Sequence, residues 1–180
     1  SLLQNSTVGK HFPGHGSIAA DSHVAIPIDE RRLVDIQFED LVPFERMINY
    51  GLAAIMPAHV IYPQVDAQPA GFSSHWLQDI LRKKYGFQGV IFSDDISMIG
   101  ATVVGDPVTR AKRALQAGCD MVLICNDRDA TIQVIENLGE YHSPVSQMRL
   151  MRLHGKPALN WSDLHATQKW QQAIVNLSDL

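Results

Sequence analysis

Short, continuous apolar runs alternate along this chain with longer amphipathic stretches, and that alternation restricts the fold more than any other feature. Gly89-Val-Ile-Phe92 and Met121-Val-Leu-Ile-Cys125 are apolar at consecutive positions, the composition of strands covered on both faces. Ala53-Ala-Ile-Met56 is a third, shorter run, and a weak one stands at Thr7–Val8. Between them helical spacing takes over. Ser73 and Ser74 can cap a helix through Lys84, with Trp76, Leu77, Ile80 and Leu81 on one face and Gly86 at its end. Asp106-Pro107 opens another that stops at Gly118, with proline in the first turn. Glu30 to Tyr50 carries Leu33, Ile36, Phe38, Leu41, Phe44, Met47 and Ile48 at mostly helical spacing, and Pro43 is expected to break or kink it. Asp129 starts a helix to Leu138, and residues 144–153 and 162–177 read as two more.

Repeated strand–helix units with apolar strands mean a parallel sheet covered by helices. A doubly wound sheet and a (β/α)8 barrel both fit this pattern. About four strands are legible, half of what a closed barrel needs. A dinucleotide fold has little support, because Gly14-His-Gly16 is followed neither by a third glycine at the right place nor by an obvious helix.

Composition excludes several partners. The 180 residues are 46% hydrophobic and 19% charged, with a formal net charge of −4, so nothing favours nucleic acid or an anionic membrane surface. No apolar run approaches the roughly 18 residues of a membrane helix, and no signal peptide is visible. Cys119 and Cys125 lie in apolar surroundings and read as reduced core thiols of a cytoplasmic protein. The chain opens on Ser1 rather than Met, which points to a natural N-terminus elsewhere.

Two clusters of polar residues stand at strand ends, where catalytic groups gather in α/β proteins. The first, from Lys10 to His23, holds three histidines, a lysine and an aspartate, broken by glycines and a proline. It is too polar for a core strand and reads as a loop. Lys10 and His11 offer donors to sugar hydroxyls or an anion, although such residues are often merely solvated. Asp21 and His23 are two apart, so a carboxylate can orient an imidazole for acid and base work near neutral pH; a surface loop with a chance histidine is the plain alternative. His15 and His59 are weaker candidates. The second cluster is Ser93-Asp-Asp95. Asp94 emerges from the sheet, where a carboxylate can attack an anomeric carbon, accept a proton or bind a metal. One of the two aspartates can instead cap the next segment. His11, His15, His23, Asp21 and Asp94 together also allow a metal-dependent, amidohydrolase-like site, but no His-x-His or His-Glu-x-x-His spacing favours it.

Lys10-His-Phe-Pro-Gly-His-Gly16, Asp21-Ser-His23, Ile55-Met-Pro-Ala-His-Val60, Gly86-Phe-Gln-Gly-Val-Ile-Phe-Ser-Asp-Asp95 and Ala117-Gly-Cys-Asp120, in this order and spacing, closely resemble the bacterial β-N-acetylglucosaminidases of glycoside hydrolase family 3. The nearest subgroup comprises the cytoplasmic enzymes that remove N-acetylglucosamine from 1,6-anhydro-muropeptides in Gram-negative peptidoglycan recycling. The resemblance implies a (β/α)8 TIM barrel, of which this chain holds about the last four βα units plus C-terminal helices. It implies one partial catalytic domain over residues 1–180, whose partner is the missing N-terminal half of the same protein. It implies a retaining mechanism with Asp94 as nucleophile, His23 as general acid/base, Asp21 orienting His23, and Lys10 and His11 binding the sugar, with no cofactor and no metal. Family members have roughly twice this length, and their first half supplies further sugar-binding groups absent here. Ile99 also departs from close relatives, which often carry Glu there. A fragment that only binds sugar or a complementary half-chain is the non-catalytic alternative.

Overall fold

The computed structural model describes residues 7–18, 26–153 and 160–178. They fall in two compact units, divided after Leu153. In the larger unit, four strands form one sheet: β1 (Val8–Phe12), β2 (Ala54–Pro57), β5 (Val90–Asp95) and β6 (Met121–Leu123). Their spatial order is β1-β2-β5-β6 and every neighbouring pair is parallel. The order runs straight along the chain, without the reversal that defines a doubly wound sheet. Stepwise addition of parallel strands through helical crossovers is barrel topology, and four strands make a partial barrel.

The helices between the strands follow the apolar spacing, with informative exceptions. Glu30–Tyr50 divides into α1 (Leu33–Phe38) and α2 (Leu41–Asn49). The break falls at Glu39–Asp40 and not at Pro43, which sits in the first turn of α2, where a missing N–H costs no intrahelical bond. The next helix, His75–Lys84, is a π-helix with i→i+5 bonds along its length, the last of them from Tyr85 N–H to the Ile80 carbonyl. Ser73, not Ser74, caps it: Ser73 Oγ accepts from Trp76 N–H at 3.1 Å and donates to Asp66 Oδ2 at 2.6 Å. Helix α3 (Pro107–Ala117) begins and ends as the sequence predicts, with Asp106 Oδ1 accepting from Thr109 N–H. Gly118 closes it at φ +123°, and a side chain there would run into Gln78. Helix α4 (Arg128–Asn137) is capped by Asp127, two residues earlier than the expected start, and α5 (Pro144–Met151) by Ser143.

Two features escape the sequence pattern. A short antiparallel hairpin, β3 (Ile61–Tyr62) and β4 (Asp66–Pro69), follows β2. Strand β6 ends at Leu123, short of the expected Cys125, because Cys125 N–H turns to the Asp95 carboxylate and Asn126 adopts φ +57°. Cys119 is buried as expected, whereas Cys125 is exposed and not a core thiol; neither forms a disulfide.

The core lies between sheet and helices. Trp76 packs edge-on against Phe12 and Tyr62, with ring centroids 6.0 and 5.1 Å apart, and Phe12 meets Phe44 at 5.4 Å. Ile55 and Ile91 are fully buried in the middle of their strands. Beneath the sheet, the Asp120 carboxylate accepts from Arg82 Nη2 (2.8 Å), Ile91 N–H (2.9 Å), Ser146 Oγ (2.7 Å) and Arg149 Nη1 (3.1 Å). One buried carboxylate thus joins the His75–Lys84 helix, the start of β5 and helix α5.

In the smaller unit, the stretch expected as a single helix over 162–177 forms two, α6 (Trp161–His165) and α7 (Gln168–Ser178). Thr167 divides them: its hydroxyl donates to Leu164 O and accepts from Trp170 N–H.

Candidate active site

Because all four sheet strands are parallel, their C-terminal ends share one edge, and the sequence clusters meet there. Lys10 and His11 lie within β1 itself, not in the loop after it. Lys10 pairs in register with Met56, and Phe12, next in line, is fully buried. Backbone pairing with β2 draws these polar residues into the strand; the register shift between Lys10 and Phe12 marks where the ladder becomes irregular. Lys10 is exposed and His11 half-buried. Asp21 and His23 lie outside the described residues.

Asp94 and Asp95 end β5, and the structure gives them different tasks. Asp95 Oδ1 accepts from Ser97 N–H (2.9 Å), Ser97 Oγ (2.7 Å) and Cys125 N–H (3.0 Å). That carboxylate is committed to tying the β5 turn to the end of β6. Asp94 is the other kind. Its Oδ1 accepts only the adjacent Asp95 N–H among the described contacts, at 2.8 Å. Its Oδ2 lies 3.7 Å from His11 Nε2, and its side chain keeps 13% exposure. A carboxylate with one oxygen fixed by backbone and the other turned toward the His11 imidazole can act as a nucleophile or a base.

His59 stands behind this pair. It is fully buried, its Nε2 is 2.9 Å from the Asp95 carbonyl, and its ring stacks on Phe72 at 5.3 Å with planes 9° apart. Burial pushes its pKa below the usual 6.5, against the opposing charge of Asp94.

The hairpin bonds both to the turn after β1 and to the segment after residue 25. Tyr62 OH donates to Gly14 O, and Ile61 exchanges backbone bonds with Pro27 and Asp29. Arg31 clamps Asp29 (2.7 Å) and Asp40 (2.7 Å). Sequence reading missed these supports, since Asp29 and Arg31 lie in irregular chain before α1 and Asp40 lies between α1 and α2, where no period marks them.

Among the described residues, no group of three or more His, Cys, Asp or Glu side chains is placed to hold a metal. None of the described helices is long and apolar enough to cross a membrane. A cavity of about 600 Å³ between α3, β6 and α4 is lined mainly by Ala111, Leu115, Val122, Val134 and Leu138. Its acid, Asp120, is saturated by the bonds above, so this is packing space beside an edge strand and not a reaction site.

A parallel partial barrel with an acid and an imidazole at its C-terminal edge is the layout of a barrel hydrolase. Residues 4–153 match the N-terminal domain of glycosyl hydrolase family 3, and the chain belongs to that family. A beta-hexosaminidase of Thioalkalivibrio sulfidiphilus is 51% identical over 176 residues, covering 97% of this chain and 50% of its own length. The crystal structure of NagZ from Neisseria gonorrhoeae in complex with N-trifluoroacetyl-D-glucosamine superposes with a TM-score of 0.85 at 38% identity, covering 98% of this chain and 50% of that one. The same protein in complex with zinc ion gives 0.83 at 38% identity, covering 96% and 48%. The chain thus spans about half the length of the curated relatives it matches.

Proposed function

We propose that the complete protein, formed by this partial domain over residues 1–180 and a preceding half, is a retaining exo-β-N-acetylglucosaminidase. Its substrates are 1,6-anhydro-muropeptides, its setting cytoplasmic peptidoglycan recycling. The observation that carries this reading is the division of labour at β5: Asp95 is fully engaged in structure, while Asp94 presents Oδ2 beside His11 at the open edge. Relatives named beta-hexosaminidase, and one in complex with an N-acylglucosamine, support the sugar class.

In this scheme Asp94 Oδ2 attacks the anomeric carbon and forms the glycosyl ester. The bond to the leaving oxygen breaks as His23, oriented by Asp21, donates its proton. His23 then removes a proton from water, whose oxygen attacks the same carbon and frees the carboxylate. Lys10 and His11 hold the sugar hydroxyls, so binding positions the ring over Asp94. A slow substrate such as 5-fluoro-N-acetylglucosaminyl fluoride tests this on the complete enzyme. Mass spectrometry should find the trapped sugar on the peptide containing Asp94, and Asp94→Ala should nearly abolish turnover. Retention of more than about a tenth of kcat, a barrier change under ~1.4 kcal/mol, refutes the assignment.

A further inference from the structure

We infer that His59 is a positioning residue for the Asp94 carboxylate, acting by holding the Asp95 carbonyl across the gap between the ends of β2 and β5. The inference rests on the reading of Asp94 as nucleophile. Ladder pairing between these strands covers Ala54↔Val90 and Ile55↔Ile91. Beyond it, toward the reactive edge, β6 holds the end of β5 from one side through Asp95↔Leu123, and no ladder pair holds it from the β2 side. His59, two residues past β2, supplies that link at the last residue of β5.

Asp95 is then held from three directions. Its carbonyl meets His59, its carboxylate meets Ser97 and Cys125, and its N–H holds Asp94 Oδ1. The last bond orients the attacking group, so an error in Asp95 is passed directly to Asp94 Oδ2. The stack on Phe72 keeps the imidazole plane from rotating out of line.

The geometry also fixes the tautomer. A carbonyl oxygen only accepts, so Nε2 carries the hydrogen and Nδ1 the lone pair. Nδ1 is buried and has no hydrogen-bond partner; a Cβ built on Gly71 would lie 3.8 Å from it. A proton added there would meet no acceptor. The charged groups facing the ring are Asp94 and Asp95 from β5, which favour protonation, and His11 from β1, which opposes it; burial outweighs the carboxylates. Neutrality serves the role, because a buried cation beside Asp94 would pair with the carboxylate and weaken it as a nucleophile.

The test uses the complete enzyme. His59→Phe keeps the ring against Phe72 and removes the donor; His59→Gln returns an N–H at the Nε2 position. Phe should lower kcat by about 10- to 100-fold with KM changed less than about 3-fold, the scale of a misplacement near 1 Å. It should slow trapping by the fluoride in parallel, and Gln should recover most of the loss. In the unsubstituted enzyme, ¹⁵N NMR should show His59 as the Nε2–H tautomer, titrating below the ordinary imidazole value of 6.5; this holds even if the Phe variant does not fold. A sugar trapped on Asp94 at wild-type rate in His59→Phe overturns the role of His59 alone. So does an imidazole that titrates near its ordinary value. A sugar trapped on another residue overturns the nucleophile reading and this inference with it.

Discussion

Removing the Asp120 carboxylate should cost more stability than any surface change in this domain. The acid has 1% side-chain exposure and four donors, and its main partner Arg82 is 7% exposed. Burial pulls the Arg82 guanidinium down to about 10, against the attraction of Asp120, so it stays charged at neutral pH. In Asp120→Ala that charge keeps its bonds to the Phe87 and Gly89 carbonyls but loses its counter-ion. Breaking a buried pair in this way costs about 3–5 kcal/mol. The stranded Ile91 N–H belongs to the same loss, while Arg149, 19% exposed, can turn to water and Ser146 retains Ser143. With a urea slope of about 1–3 kcal/mol per molar, the unfolding midpoint of the complete enzyme should fall by more than about 1 M at unchanged slope. Arg82→Met with Asp120→Leu should cost less than the sum of the single changes by over ~1 kcal/mol, since neither charge is left alone. A midpoint shift under about 0.3 M for Asp120→Ala, or strict additivity in the pair, would refute this account.

His23→Ala should slow release of poor leaving groups by about 10²–10⁴-fold and activated aryl glycosides far less, with Asp21→Ala a milder copy; equal damage to both substrates in the glycosylation step removes His23 as proton donor. Burial raises the Asp29 pKa but Arg31's bonds more than offset it, for a net value below 3.8, so this stabilisation is present above pH 3.8 and lost as pH falls through the folded-state value. Arg31→Gln should therefore lower Tm at pH 7 and much less at pH 3, and an equal drop at both contradicts the assignment. Strands β1 and β6 each have one neighbour in the described sheet, with Val8 and Met121 more than a third exposed. The 180-residue chain expressed alone should self-associate through such edges and show no turnover; a monomeric, active fragment by light scattering and chromogenic assay would overturn this.

The sequence by itself determined the layering of this protein. Consecutive apolar residues at Val90–Phe92 and Met121–Leu123 and the spaced faces of α3 and the His75–Lys84 helix are local patterns that point to a parallel sheet under helices; β5 is buried as its composition predicts, whereas β6, at the edge of the described sheet, leaves Met121 exposed and is not covered on both faces. It also offered candidates for the chemistry, because Asp94 and Lys10-His11 are polar groups beside apolar runs, although Lys10 and His11 lie within β1 and not after it. It did not determine their tasks. Two adjacent aspartates look alike in one dimension; only the approach of Ser97 and Cys125 shows that Asp95 is the structural one. His11 faces Asp94 because β1 and β5 flank β2, a pairing between residues 83 positions apart that no local period encodes. His59 and Asp120 were legible as residue types, but their partners lie tens of residues away. A buried polar group takes its role from whatever the folded chain brings to it, and that is decided by tertiary packing alone.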